Sequence, residues 1–300
     1  MSHQDQHENH HHHQYDSVNR AFLFGIALNI VFVVIEVGFG LWVGSLSLLT
    51  DAGHNLGDVV GLILIVLAIR LAKKKPNKKF TYGYGKTTIL VALANAVTLL
   101  IAVGAIGWEA IGRIKNPQPV EGQTIAWVAL AGIIINGATA LLFMKNQEKD
   151  LNAKGAFLHM AADALVSLGV LISGIIIFYA QWFWLDAVIS IVIMIVIVMS
   201  SWRLLKDSLR LSLDGVPAGI NLEGIRQYLL GIKGVTGLHD LHIWAMSTNA
   251  TALTVHLVAP NEIENSLLAT INAELHSQFH IDHTTIQVEK TSEEECEQRC

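Results

Sequence analysis

Hydrophobic and polar positions divide the chain into two regions of different character. As far as residue 204 the pattern consists of six long apolar stretches separated by short polar segments. Each stretch is long enough to cross a bilayer as an α-helix, which takes about 20 residues. We therefore predict six transmembrane helices, over residues 21–43, 46–71, 89–111, 125–143, 157–179 and 185–204.

The polar segments between these helices differ in charge, and the difference predicts how the chain is oriented. Three connections are basic: "RLAKKKPNKK" after the second helix, "KNQEKDLNAK" after the fourth and "RLLKDSLR" after the sixth. The loops on the opposite side are nearly free of cations, except for Arg113 and Lys115. Because cytoplasmic loops carry the excess of Lys and Arg, both termini are predicted to be cytoplasmic.

After Asp207 the pattern becomes that of a soluble domain. Helical periodicity in "NLEGIRQYLLGI" and "NEIENSLLATINAELHSQFH" predicts two helices. Three segments predict strands, the first two joined at Thr248–Asn249: "GVTGLHDLHIWAMS", "ATALTVHLVAP" and "TTIQVEK". The order helix, strand, strand, helix, strand predicts a small α+β domain that is ferredoxin-like in order.

The predicted fold class is thus an α-helical membrane protein with six transmembrane helices and a C-terminal cytoplasmic α+β ferredoxin-like domain. The sequence divides into four parts: a His-rich cytoplasmic tail (1–19), the transmembrane domain (20–207), the cytoplasmic domain (208–290) and an acidic tail that contains both cysteines (291–300).

Composition agrees with a chain that lies mostly in lipid. The 300 residues are 52% hydrophobic and 15% charged, with a mean hydropathy of +0.46, whereas a soluble domain is about 25% charged. The net charge of -5 argues against nucleic acid as a partner. Cys296 and Cys300 both lie in the last five residues, so they cannot build a disulfide framework.

The N-terminal segment "MSHQDQHENHHHHQYDSVNR" lacks the basic region and early apolar core of a cleaved secretory signal. The first helix is therefore predicted to be a retained anchor. Six of the fourteen histidines lie in this segment. The irregular "HQDQHENHHHH" is typical of a metal-attracting tract, and an engineered tag is the alternative.

Two of the predicted helices carry the same pair of ionisable residues at the same spacing. His54 and Asp58 are four residues apart in the second helix, as are His159 and Asp163 in the fifth. At this spacing both side chains lie on one helix face. Two such faces turned toward each other would offer two imidazoles and two carboxylates, a donor set that suits tetrahedral zinc. A single intramembrane His or Asp is often only a hydrogen-bonding residue, but unpaired charge in lipid is costly enough to favour a metal site.

The sequence around these pairs resembles the cation diffusion facilitator family. "SLLTDAGHNLGD" and "HMAADALVSLG" are similar to its second and fifth spans, and "HDLHIWAMS" and "HTTIQVE" to the cytoplasmic domain of its zinc-transporting members. The resemblance implies a homodimeric zinc/proton antiporter of the cell membrane that exports zinc, and not an enzyme. It also implies that His54, Asp58, His159 and Asp163 form the transport site. The short loop between the fourth and fifth helices favours a bacterial-type member.

The ligand types suit transport. Two carboxylates and two imidazoles can strip water from zinc but hold it less tightly than a thiolate-rich structural site would. All four ligands must be deprotonated to bind, so protons compete with the metal directly. If the site faces water on alternate sides of the membrane, this competition becomes an exchange of zinc for protons.

Other polar residues inside the predicted helices are not assigned to the metal site. Asp51 lies near the face of Asp58 and either guides ions or protons or caps the start of the second helix beside Thr50. Two carboxylates, Glu36 and Glu109, could either relay protons or bond neighbouring helices. Asn95 and Asn136 are predicted to hold helices together.

Strand parity predicts a second metal cluster in the cytoplasmic domain. The middle strand has apolar residues at alternate positions, so His256 points to the other face, and His283 and Glu289 of the last strand are in phase with that face. A regular strand sends His239 and His242 to opposite faces, and the family resemblance favours His239. We predict that His239, His256, His283 and Glu289 hold zinc as a structural or regulatory ion, with solvated surface histidines as the alternative.

Two further features of this domain bear on how many metal ions it is predicted to hold and on which histidines take part. Gln287 stands where some family members have His, which argues against a full dinuclear site. His276 and His280 form an i,i+4 pair on a predicted helix and are expected to face solvent.

Two other function classes are less consistent with the sequence. A membrane metallohydrolase needs a general base, typically in an HExxH motif, but Asn55 follows His54. A sensor that only anchors its soluble domain in the membrane has no use for His and Asp pairs within the bilayer.

Overall fold

The structure is a computed structural model, and it describes residues 27–144, 151–261 and 264–290. The His-rich tail (1–19), the first residues of the first predicted helix and the tail that contains Cys296 and Cys300 lie outside the described residues. The described chain forms two compact units. One comprises the residues up to Leu62 together with Val97–Trp202, and the other comprises Ile63–Ala96 together with the residues from Arg203 onward.

Six helices correspond to the predicted apolar stretches: α1 (Ala27–Val43), α2 (Leu46–Ala72), α3 (Thr87–Lys115), α4 (Gly122–Met144), α5 (Leu151–Ala180) and α6 (Trp184–Ser212). Among the described residues, five of them are long and apolar enough to cross a membrane, whereas α1 is shorter. The predicted start of α1 at Ala21 lies outside the described residues. That α1 crosses the membrane as the other five helices could therefore stays a prediction. Most helix ends extend beyond the predicted apolar stretches, because a helix continues through polar residues that hydropathy excludes.

The core of the first unit consists of aliphatic side chains and one aromatic ring from several helices. Its fully buried members include Phe32 of α1, Leu48 of α2, Val103 of α3, Ile125 of α4 and Val170 of α5. In lipid, close packing replaces the hydrophobic effect as the force that holds helices together. The buried face of each helix therefore decides which of its polar residues point inward.

Glycines allow α4 and α5 to approach closely. A Cβ atom on Gly122 would lie 2.5 Å from the backbone nitrogen of Phe178, and one on Gly174 would lie 2.8 Å from that of Ala126. A Cβ atom on Gly132 would lie 3.0 Å from the side-chain Oγ of Ser167. Small residues of this kind bring helix backbones together in membrane proteins. The contact fixes the rotation of α5, the helix that carries His159 and Asp163.

The second unit contains the C-terminal domain, whose predicted element order is confirmed: α7 (Leu222–Leu230), β1 (Gly237–Ser247), β2 (Ala250–Val258), α8 (Asn265–Phe279) and β3 (His283–Glu289). The turn at Thr248–Asn249 joins β1 to β2 as predicted. Asn221 caps α7 by accepting a hydrogen bond from the backbone N–H of Gly224. The helices pack on one face of the sheet around Ile225, Leu253 and Leu275.

The sheet has three strands in the order β1–β2–β3 in the described residues. β1 pairs with β2 in antiparallel fashion, and β2 pairs with β3 in parallel, with α8 as the crossover. A ferredoxin-like domain has the order β-α-β-β-α-β with four strands. The predicted α+β class is therefore correct, but its ferredoxin-like assignment is not confirmed.

The loop between α2 and α3 lies against this domain within the second unit. Nζ of Lys86 is 2.6 Å from a carboxylate oxygen of Asp214, and Thr248 donates its backbone N–H to Oγ1 of Thr88. The ring of Tyr82 contacts the ring of His283 edge to face, with centroids 5.8 Å apart. This contact determines where the first residue of β3 lies.

Candidate functional site

The four ionisable residues predicted in the second and fifth helices meet at one point, which we call the His–Asp site (His54, Asp58, His159 and Asp163). Nε2 of His54 lies 3.6 Å from Oδ2 of Asp58 and 3.4 Å from Oδ1 of Asp163. Nε2 of His159 lies 3.2 Å from Oδ2 of Asp58 and 3.6 Å from Oδ2 of Asp163. Each imidazole thus contacts one carboxylate on its own helix and one on the facing helix.

These distances fit a tetrahedral ion. With zinc–ligand distances of about 2.0–2.2 Å, neighbouring donor atoms of a tetrahedral site lie about 3.3–3.6 Å apart. Oδ2 of Asp58 and Oδ2 of Asp163 are buried and accept no hydrogen bond, and donor atoms of Asp58, His159 and Asp163 lie within 4.8 Å of one another. Buried polar atoms without hydrogen-bond partners are unusual and call for a ligand.

The site lies about two turns inside each of its two helices. His54 and His159 each follow the first residue of their helix by eight positions, which is about 12 Å along the helix axis. The Asp163 side chain is 3% exposed and that of His159 is 42% exposed. The site is therefore closed around Asp163 and accessible beside His159.

A carboxylate that sequence reasoning missed holds the start of α2. Asp186, in the first turn of α6, is 2% exposed. It accepts hydrogen bonds from the backbone N–H groups of Leu46 and Ser47 at 2.7 and 3.2 Å, and from the hydroxyls of Ser45 and Ser47 at 2.6 and 2.5 Å. Negative charge at a helix N-terminus is stabilising. The available signal was a lone Asp in the first turn of an otherwise apolar helix.

One turn further along, the same two helices are joined again. The hydroxyls of Thr50 and Ser190 are 2.5 Å apart. Together with Asp186, this contact fixes the axial position of α2 against α6, and hence the height at which His54 and Asp58 face α5.

The interpretation of Asp51 as a cap of α2 is wrong. The helix begins at Leu46, so Asp51 lies in its second turn. Its side chain is 1% exposed and accepts a hydrogen bond from Oγ of Ser167 on α5 at 3.1 Å. Asp51 therefore belongs to the polar interior between α2 and α5.

The other polar residues of the predicted helices differ in their surroundings. Glu36 is fully buried and accepts a hydrogen bond from Nδ2 of Asn55 at 3.2 Å. Glu109 is exposed and accepts one from Arg113 on its own helix at 3.1 Å, so it does not bond a neighbouring helix. Asn136 is fully buried, and neither of its polar atoms has a hydrogen-bond partner among the residues that the structure describes. The prediction that Asn136 bonds a neighbouring helix is thus not met.

Three of the four residues predicted in the C-terminal domain come together. Nε2 of His239 lies 2.9 Å from Oε2 of Glu289, and Nδ1 of His256 lies 3.0 Å from Oε1 of the same carboxylate. The two imidazole rings meet edge to face with centroids 4.9 Å apart. The antiparallel register explains this, because His239 and His256 are direct partners across β1 and β2.

Asp240 joins this group, although sequence reasoning did not select it. Its Oδ2 atom lies 3.6 Å from Nδ1 of His239 and 3.9 Å from Nδ1 of His256. Its φ of 49° coincides with a shift of register between His239 and His242. Such a bulge adds a residue to one strand and redirects side chains, so the assumption of a regular strand was wrong here. We call His239, Asp240, His256 and Glu289 the C-terminal cluster.

The predicted meeting of His283 with His256 and Glu289 does not occur. His283 pairs with Ala252 at the start of β3, whereas Glu289 pairs with Val258 at its end. The two residues are six positions apart, which is about 20 Å in a strand. Strand parity correctly placed them on one face, but it contains no information about distance along the strand.

The electrostatics of the C-terminal cluster favour an ionised carboxylate. The hydrogen bond with His239 lowers the pKa of Glu289, and a hydrogen bond from Gln287 and the charges of the two histidines act in the same direction. Nε2 of Gln287 donates to Oε1 of Glu289 at 2.8 Å. An ionised Glu289 with two imidazoles and Asp240 nearby provides a donor set that zinc accepts.

Both parts of the chain are similar to known cation efflux proteins. Residues 22–211 match the cation efflux transmembrane domain, and residues 217–291 match the cytoplasmic domain of cation efflux proteins, a dimerisation domain. The zinc transporter ZitB of Pectobacterium atrosepticum is 37% identical over 282 residues, which cover 93% of this chain and 88% of the relative.

Two further relatives carry names that are not limited to zinc. The metal cation efflux system protein CzcD of Cupriavidus metallidurans is 37% identical over 272 residues, or 90% of this chain and 86% of the relative. A cadmium, cobalt and zinc/H(+)-K(+) antiporter of Bacillus subtilis is 32% identical over 285 residues, or 93% of this chain and 91% of the relative. The solved metal-bound C-terminal domain of the Cupriavidus transporter is 35% identical and covers 23% of this chain and 99% of that domain, with a TM-score of 0.22.

Proposed function

Since the chain belongs to the cation efflux family, we propose that it is a proton-coupled antiporter that exports zinc through the His–Asp site. The family consists of membrane-embedded transporters and not of enzymes. Transport of a metal cation follows from the family, and the site, the ion and the coupling to protons are proposed here.

The observation that supports the site is the set of four cross-contacts between two imidazoles and two carboxylates. The distances of 3.2–3.6 Å are close to those between zinc ligands, with Asp163 facing His54 through Oδ1 and His159 through Oδ2. No lysine or arginine neutralises Asp58 or Asp163 among the salt bridges of the described residues. Two carboxylates inside a membrane need a cation or protons for balance, and zinc or protons can serve in turn.

Zinc suits this donor set better than harder or softer ions. Imidazole nitrogens disfavour magnesium and calcium, which prefer oxygen ligands. The absence of thiolates among the four residues disfavours a site for copper(I). Zinc also has no geometric preference of its own, so it tolerates the changes in geometry that a moving carrier imposes.

Coupling to protons follows from the chemistry of the same four residues. His54 and His159 bind zinc only through neutral imidazole nitrogens, and Asp58 and Asp163 only as carboxylates. Protons on these groups therefore displace the metal. In our proposal zinc loads from the cytoplasm, protons displace it on the far side, and the protonated site returns inward.

The C-terminal cluster is proposed to hold a resident zinc ion. Its ligands would be His239, His256 and Glu289. The carboxylate of Asp240 lies close to both imidazoles and would be the fourth donor. An ion there would fix β1, β2 and β3 to one another at one corner of the sheet. It would serve as a structural or regulatory ion and not as cargo.

The proposed setting is the cell membrane, with a homodimer formed through the C-terminal domain. The dimerisation domain in the matched family supports the homodimer. The basic segments after the second, fourth and sixth predicted helices support cytoplasmic termini. Under this orientation the C-terminal cluster samples cytoplasmic zinc.

Transport by the purified protein in sealed vesicles tests the proposal. Zinc entry is followed with an internal fluorescent indicator while a pH gradient is imposed, and proton movement is followed in parallel with a pH-sensitive dye. We expect zinc and protons to move in opposite directions and zinc flux to reverse when the gradient is reversed. Zinc flux that ignores the pH gradient would contradict proton coupling, and no zinc flux at all would contradict the transport proposal.

A further inference from the structure

A second group of buried ionisable side chains lies in the same unit, apart from the four proposed ligands. Glu36 on α1 and Asp51 on α2 are 0% and 1% exposed. The two carboxyl groups interact electrostatically. Asn55 donates to Oε2 of Glu36, and Ser167 donates to Oδ2 of Asp51. We call Glu36 and Asp51 the carboxyl pair.

The hydrogen bonds of the pair lack one donor. Oε1 of Glu36 and Oδ1 of Asp51 are buried, and no group of the described residues donates a hydrogen bond to either. Two ionised carboxylates in one buried region, each with an oxygen that accepts no hydrogen bond, would repel each other and be costly. A proton on one of the two groups supplies the missing donor and removes one of the two charges.

The charges around the pair do not change this conclusion. No lysine or arginine forms a salt bridge with Glu36 or Asp51 in the part of the chain that the structure describes. The ionisable groups that interact with the pair electrostatically are Asp163 on α5, which acts on both members, and His54 on α2, which acts on Asp51. Asp163 as a carboxylate favours a proton on the pair, whereas His54 as an imidazolium favours the ionised form of Asp51.

The pair is joined to the helices of the His–Asp site by its two donors. Asn55 directly follows His54 in the chain, and Ser167 lies one helical turn after Asp163. When a divalent ion neutralises Asp58 and Asp163, the negative potential that helps to hold a proton on the pair decreases. Binding of zinc and loss of that proton are therefore linked.

We propose that the carboxyl pair Glu36–Asp51 is a proton-binding site that holds one more proton in the metal-free protein than in the zinc-loaded protein. The O–H bond breaks on loading, the proton passes to water, and the charge of the pair falls by one as zinc adds two positive charges nearby. This inference rests on zinc binding at the His–Asp site and adds a proton that the four ligands do not account for.

The number of protons released per zinc bound tests the inference. It is measured on the purified full-length protein by titration calorimetry in buffers of different ionisation enthalpy. We expect Glu36→Gln and Asp51→Asn each to release about one proton fewer per zinc than the native protein. Glu109→Gln, which changes an exposed carboxylate of another membrane helix, should leave the count unchanged.

Infrared difference spectroscopy gives a second readout that does not depend on a variant. Adding zinc to the native protein should remove a carbonyl band of a protonated carboxyl group, and Glu36→Gln should lack that change. If no such band changes in the native protein, or if the proton count is native in both Glu36→Gln and Asp51→Asn, the inference is overturned. Loss of a bound metal ion from Glu36→Gln at an unchanged proton count would show that the pair binds metal, which also overturns it.

These outcomes differ from a failure of the proposed function. If Asp163→Ala binds and transports zinc like the native protein, the His–Asp site is wrong whatever the pair does. If Asp163→Ala loses zinc while Glu36→Gln keeps both zinc and the native proton count, only the inference about the pair fails.

Discussion

Nε2 of His54 on α2 lies 3.4 Å from Oδ1 of Asp163 on α5. This contact joins two helices that are far apart in the chain, and it involves the most buried member of the His–Asp site. The Asp163 side chain is 3% exposed, so water has little access to this proposed ligand.

Replacing Asp163 by Ala should therefore abolish zinc transport. The change removes one of four ligands and one of two balancing charges, and zinc uptake should fall to the level of empty vesicles. The dimer should still assemble, because the apolar core around Phe32 and Val170 does not involve Asp163. Glu109→Ala, an exposed carboxylate of α3, is the matched control and should transport normally. Full zinc flux in Asp163→Ala would show that the His–Asp site is not the transport site.

His54 is expected to set ion selectivity. His54→Asp replaces a nitrogen donor by a carboxylate that binds through one or both oxygens and tolerates a larger ion. We expect the variant to keep zinc transport and to gain cadmium transport, measured as metal-stimulated proton flux at matched concentrations.

Packing near His54 offers an alternative explanation of selectivity, and one variant separates the two. A Cβ on Gly57 would lie 2.8 Å from Cδ1 of Leu99, so Gly57→Ala changes the packing without touching a ligand. Equal cadmium-to-zinc ratios in the native protein and His54→Asp, or a gain of cadmium transport in Gly57→Ala alone, would count against the ligand explanation.

Asp186 should contribute to stability without contacting the ion. Asp186→Ala leaves two backbone N–H groups and two hydroxyls without their acceptor. We expect a loss on the order of 3 kcal/mol in the free energy of unfolding in detergent, with Asp186→Asn in between. Asp207→Ala, a more exposed carboxylate of the same helix, should cost less than about 1 kcal/mol. An Asp186→Ala protein as stable as the native one would contradict the capping role.

The C-terminal cluster is tested by counting bound zinc in a full-length protein that carries Asp163→Ala, so that the His–Asp site is disabled. Adding His256→Ala and Glu289→Ala should remove the remaining ion, because both side chains contribute donors to the cluster. His283→Ala is the matched control and should keep it, since His283 lies at the other end of β3. If the first variant binds as much zinc as its parent, the cluster is not a zinc site.

Stability at high pH should depend on Tyr228 of α7. Burial and a hydrogen bond with Glu274 raise the pKa of Tyr228 well above its ordinary value. A group whose pKa is higher in the folded state stabilises that state below its unfolded pKa, here about 10, and this stability is lost as the pH rises further. Native protein should therefore lose more thermal stability between pH 9 and pH 11 than Tyr228→Phe, as followed by intrinsic tryptophan fluorescence; parallel losses would contradict the assignment. (The two pH limits are about one unit on either side of the unfolded pKa.)

The sequence by itself determined the features that depend on local periodicity. The apolar stretches predicted helices α2 to α6, because the length of a membrane span and the hydropathy of its residues are read along the chain. The spacing of His54 to Asp58 and of His159 to Asp163 placed each pair on one face, because 3.6 residues complete a turn. The order of α7, β1, β2, α8 and β3 followed from the same kind of pattern.

Only the tertiary structure decided which of these local features meet. Asp186 reaches the start of α2 from another helix, and a bulge at Asp240 brings that carboxylate toward His239 and His256. His283 has the parity of Glu289 but lies at the opposite end of β3. Periodicity fixes the direction in which a side chain points, but its neighbours depend on the axial position and register of packed elements. Those are set by contacts between residues distant in sequence.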